Sequence, residues 1–71
     1  MKRHFEFVAG SSSKFWGVSV ADCTVTICFG RIGTAGQSQT KELVDAWAAQ
    51  QHADKMVAEK IKKGYIETVP A

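Results

Sequence analysis

Phe29-Gly30-Arg31-Ile32-Gly33-Thr34-Ala35-Gly36 divides this 71-residue chain into a β-rich half before it and a helical half after it. Glycines recur at every third position (Gly30, Gly33, Gly36). Glycine tolerates φ > 0, so this rhythm marks a backbone that turns sharply or is approached closely. Arg31 stands among these small residues with little bulk beside it. Its planar guanidinium suits phosphate or carboxylate, and the loop is placed to present it.

Upstream, residues 3–9 alternate. Phe5 and Phe7 share one face, and His4, Glu6 and Val8 share the other, which predicts a half-buried strand. Gly10 and Ser11 to Ser13 predict a turn or loop. Lys14 to Val20 is a second strand, with Trp16, Val18 and Val20 on one face and Phe15, Gly17 and Ser19 on the other. An aromatic on each face requires some cover on both. Ala21-Asp22-Cys23 connects to a third strand from Thr24 to Phe29, rich in β-branched residues. Val25, Ile27 and Phe29 share its apolar face. Downstream, Gln37 to Glu42 is polar throughout and reads as a loop by pattern alone.

Helical spacing begins after Asp45, a good N-cap. Ala46, Ala49, Ala53, Met56, Val57 and Ile61 are expected on its buried face. Trp47 lies on the margin of that arc and is expected to pack on the core's rim, an exposed aromatic being the alternative. Gly64 fits the C′ position, and lysines in the last turn suit the helix dipole. Tyr65 to Glu67 reads as a short returning strand or an extended tail, and Pro70 and Ala71 are expected to fray. No repeat or linker divides the chain.

The chain length sets one small domain, residues 1–71, with marginal stability. Its 45% hydrophobic content is that of a folded domain, and its net charge of +2 permits a polyanionic partner without demanding one. No apolar run reaches membrane-spanning length and no signal sequence opens the chain, so a cytoplasmic location and no membrane partner are expected. Cys23 and Cys28 would lie about 15 Å apart along a strand, beyond disulfide reach. No metal site is expected, because no second cysteine pair or neighbouring histidine completes one.

The separated blocks KFWGVSV, TVTICFGRIGTAGQSQTKEL and ADKMVAEKIKKGYIE together resemble the WGR domain, across nearly the whole chain. That module occurs in poly(ADP-ribose) polymerases, in some bacterial regulators and as small stand-alone bacterial proteins. Its naming triplet is Trp-Gly-Arg; Phe29 replaces the tryptophan here. The resemblance implies that Gln37 to Glu42 is a fourth strand. The expected fold is therefore α+β: a small antiparallel sheet of four to five strands with one amphipathic C-terminal helix packed on one face.

No catalytic constellation is visible. The serines lack a histidine–aspartate pair, and the glycine loop lacks the Gly-Lys-Ser/Thr ending of a phosphate-binding loop. A binding module without enzymatic activity or cofactor is expected. In polymerases the WGR triplet contacts DNA near a strand end, with the tryptophan against a sugar. This implicates Phe29 and Arg31, with Gly30 permitting close approach. Strand alternation also places Phe29 on the core face, so core and rim positions both stay open. Lys41, closest to the loop among the lysines, Lys14 and the Lys60, Lys62 and Lys63 cluster are further phosphate candidates if they share a face with Arg31. Gln39, in the run Gln37 to Gln39, could touch a nucleic-acid backbone. The expected function is weak, largely sequence-independent nucleic-acid (DNA) binding. The alternative is a protein-interaction module using the same loop surface. A monomer or weak dimer is expected, since an exposed edge strand can pair with a second copy.

Overall fold

The computed structural model describes residues 1–68; Pro70 and Ala71 lie outside the described residues. Five strands, β1 (Lys2–Ala9), β2 (Ser12–Ala21), β3 (Thr24–Arg31), β4 (Gln37–Glu42) and β5 (Ile66–Thr68), form one antiparallel sheet in the order β4-β3-β2-β1-β5. Helix α1 (Ala46–Lys62) packs on one face. The expected α+β architecture is present, and Gln37 to Glu42 is a strand although all six residues are exposed. An edge strand needs only backbone bonds to one neighbour, so its side chains can stay polar on both faces.

The hairpins are tighter than the serine run suggests. Ala9 pairs with Ser12, so Ser12 and Ser13 belong to β2 and only Gly10 (φ 58°) and Ser11 turn the chain. Asp22 (φ 55°) makes the equivalent two-residue turn before β3.

Register places four cross-strand pairs of β2 and β3 under the helix side of the sheet: Val20–Val25, Val18–Ile27, Trp16–Phe29 and Lys14–Arg31. Phe5 pairs with Trp16 and is fully buried. Ala49, Ala53 and Val57 meet these rows from the helix; the alanines let α1 lie close to the sheet. Asp45 caps the helix, its Oδ1 accepting from the Ala48 N–H at 2.7 Å. Gly64 (φ 103°) ends it in the left-handed region.

Three expectations for α1 are corrected. Ile61 is 52% exposed. At about 100° per residue it lies about 120° round from Ala49 and has drifted off the buried stripe. Trp47 is 73% exposed, not packed on the rim; it sits about 160° round from Ala49, on the solvent side. Ala46 lies in the first turn, before the first buried residue, and is exposed.

The opposite sheet face has its own small cover. The Phe15 ring stacks on His4 (centroids 5.9 Å apart, planes at 18°) and lies against Gly36, and residues 32–34 border a shallow hollow beside the two rings. This satisfies the second aromatic face.

β5 is short and is tied down by charge. Arg3 donates from Nε and Nη2 to the two Glu67 carboxylate oxygens, both at 2.7 Å. Those bonds hold the Glu67 carboxyl below its ordinary pKa. A depressed carboxylate contributes stability that is fully present above its unfolded pKa and lost as pH falls through the folded value. Acidification should therefore loosen β5 first. The amide NMR signals of Ile66 and Glu67 should titrate toward disordered positions below the ordinary glutamate range, and Glu67→Gln should show the same loosening at neutral pH. Signals unmoved by either change would remove this role from the pair.

Candidate nucleic-acid interface

The glycine loop is closed by backbone contact. A Cβ on Gly30 would stand 2.7 Å from the Gly36 Cα, and one on Gly36 would stand 2.4 Å from the Phe29 carbonyl oxygen and 2.6 Å from Phe15 Cζ. Gly30 and Gly36 thus lie against each other with the Phe15 ring beside both. The bareness of Gly30 serves this closure inside the chain. Arg31 follows directly, and its backbone is fixed. Its carbonyl accepts from the Thr34 N–H at 3.1 Å and the Thr34 hydroxyl at 2.7 Å. The Ile32 N–H donates to the Ser13 carbonyl at 3.1 Å. The Arg31 side chain is exposed and forms no ion pair or hydrogen bond among the described residues.

Strand pairing then assembles the neighbours. Lys14 stands opposite Arg31, and both continue the helix-side row past Trp16 and Phe29. On β4, Gln39 stands beside Ile27 and Lys41 beside Val25, on the same face. Phe29 packs against the core yet remains partly exposed, at the point where core gives way to rim. An open groove of about 770 Å³ runs between this end of the sheet and the last turns of α1, with Lys14, Phe29, Arg31, Gln39, Met56 and Lys60 among its walls. Lys41 borders a smaller adjoining hollow of about 160 Å³ that shares Gln39 and Met56. Five of the six sequence candidates therefore line one groove, and Lys41 stands next to it.

Lys60 is the residue that sequence reasoning undervalued by grouping it with Lys62 and Lys63. It lies about 20° round from Ala49, within the buried arc. Its ammonium sits 5.6 Å over the Trp16 ring and 5.3 Å over that of Tyr65. Burial there pushes its pKa down; Lys63 and Lys14 add to the effect, and Glu59 opposes it. Lys14, Arg31 and Lys60 thus share one rim, with Glu59 the acidic side chain on the same wall. Lys62 and Lys63 do not line the groove.

The sequence profile of the WGR domain matches residues 1–71. The chain belongs to the WGR domain family. WGR domains serve as nucleic-acid-binding modules in poly(ADP-ribose) polymerase-like proteins. Over 65 residues this WGR domain is 45% identical to protein YehF of Escherichia coli K12, covering 92% of this chain and 24% of that protein. It is 34% identical over 67 residues to protein YfeS of the same organism, covering 94% of this chain and 28% of YfeS. A crystal structure of a Bacteroides fragilis protein superposes with a TM-score of 0.94 at 45% identity, covering 97% of this chain and 20% of that one. The WGR domain thus spans about a quarter of the length of these relatives. Among its described residues there is no group of three or more metal-ligating side chains, and no helix is long and apolar enough to cross a membrane.

Proposed function

We propose that this WGR domain is a non-enzymatic module that binds nucleic acid through the groove at the Lys14–Arg31 end of its sheet. The observation that carries this reading is the convergence of Lys14, Arg31 and Lys60 on one rim, none of them in an ion pair among the described residues. Three cations on a concave wall form an electrostatic footprint for sugar–phosphate, with little base selection. Binding is weak, in the ~micromolar range at physiological salt, as befits contacts dominated by phosphate.

A salt titration with a short labelled duplex tests this. Three phosphate contacts give a slope of about −2.7 in log K against log salt. Arg31→Ala should weaken binding about tenfold and flatten the slope by about one, with the fold unchanged by circular dichroism. An affinity indifferent to both salt and Arg31 would refute the reading.

A second reading has one observation in its favour. Val44 (90% exposed) and Trp47 (73%) present apolar surface near the start of α1. β3 spans eight residues between the two ends of the sheet, about 23 Å. A protein partner would thus meet this end, away from Arg31, and Trp47→Ala should leave duplex binding intact.

A further inference from the structure

A surface that reads only the backbone of a duplex needs cations on a shallow face. The groove beside Lys14 and Arg31 offers more. Below its charged rim it is walled by partly exposed apolar side chains: Phe29 from the sheet, Met56 from the helix and Tyr65 after the helix end. Trp16 is unavailable, because it is only 2% exposed and lies under Lys60. The Tyr65 ring is taken up in the same way, under the Lys60 ammonium and against Phe7, which leaves Phe29 and Met56 as the open apolar walls. The volume of about 770 Å³ falls in the range of pockets that enclose small organic ligands. Charge at the mouth with an aromatic ring and a thioether beneath is the polarity of a nucleotide, which carries an anionic phosphate and a flat apolar-faced base.

We propose that this groove takes one unpaired nucleotide, with its phosphate between Lys14 and Arg31 and its base against Phe29 and Met56. The proposal rests on the nucleic-acid reading above and deepens it. Glu59 on the helix wall repels phosphate, so the phosphate lies at the sheet end; a sugar hydroxyl or base amine is complementary to the carboxylate. Stacking on side chains tolerates any base, because every base has a π-face, so the pocket adds affinity without sequence preference. A base held in a duplex stack cannot enter. The same chemistry is offered by an unpaired residue of a strand and by a free nucleoside monophosphate.

The test compares three labelled duplexes by fluorescence anisotropy: one blunt, one with a single-nucleotide overhang, and one with the same overhang lacking its base. Adenosine monophosphate is titrated in parallel as competitor. The overhang should bind about tenfold tighter than the blunt duplex, within the gain from stacking one base. Removing the base should return affinity to the blunt level. Phe29→Leu, which keeps apolar bulk but removes the ring, should narrow the difference. Competition by the monophosphate at or below the overhang's own dissociation constant would support the pocket and assign it to free nucleotide. Equal binding of all three duplexes, still dependent on salt and Arg31, overturns the pocket and leaves the nucleic-acid reading standing. No binding of any duplex or of the monophosphate at low salt overturns both.

Discussion

Phe5→Ala leaves the domain largely unfolded in water. Phe5 is fully buried on the interior strand β1, opposite Trp16 with ring centroids 5.7 Å apart, and the Arg3 guanidinium covers its ring at 5.4 Å. Truncating a buried phenylalanine costs about 3–5 kcal/mol from lost transfer energy and the cavity left behind. The core has little else to draw on: among the described residues its other buried members are Trp16, Val18, Val25, Ala49, Ala53 and Val57. A domain of this size rarely holds more than about 3–5 kcal/mol in total. Loss and reserve are thus of the same size. Urea denaturation followed by circular dichroism should show no folded baseline for Phe5→Ala. A clear two-state transition displaced by less than about 1 kcal/mol would show that the core collapses around the gap, contrary to this account.

Gly36→Ala is expected to have the second-largest effect, for a reason of backbone rather than core. Its φ of 71° is unfavourable for a residue with a Cβ, and that Cβ would enter the space of the Phe29 carbonyl at 2.4 Å. The clash cannot be relieved by a side-chain rotation, because the obstructing atom belongs to the strand that pairs with β4. Phe29 and Gln37 form the first pair of that ladder, so relief requires opening it. The left-handed conformation alone costs about 1 kcal/mol, and the displaced backbone brings the total above about 2 kcal/mol. Gly33 provides the control. Its φ is 96°, but a Cβ there would meet nothing within 4 Å, so Gly33→Ala should cost only about 1 kcal/mol. The difference between the two midpoints in urea measures the closure of the loop. Equal midpoints would mean that the Gly30–Gly36 contact is not needed.

Much of this architecture is legible in the residues themselves. β1, β2 and β3 follow from alternation, and α1 from Asp45 at one end and Gly64 at the other. β4 is not legible by pattern, because an edge strand whose residues are all exposed carries no alternation to detect; the family resemblance supplies it. Trp47 misleads because a large aromatic weighs toward the core, whereas the helical phase alone puts it on the solvent side. The site divides in the same way. Arg31 stands out by its glycine setting, but its partnership with Lys14 depends on strand register, which is set by the two-residue turn at Asp22. Lys60 could have been picked out by its phase with Ala49, yet nothing in the sequence states that the helix ends beside the glycine loop.

The order β4-β3-β2-β1-β5 also governs how the chain folds. Four of the strands are neighbours in sequence as well as in space, so each hairpin closes a short loop and the entropic cost is met in small steps. β5 is the exception, since Thr68 meets His4 across a separation of 64 residues. It has no sequence neighbour to pair with, and must wait for the meander to present β1 and for the helix to carry the chain back. The sheet should thus be completed last at its three-residue edge.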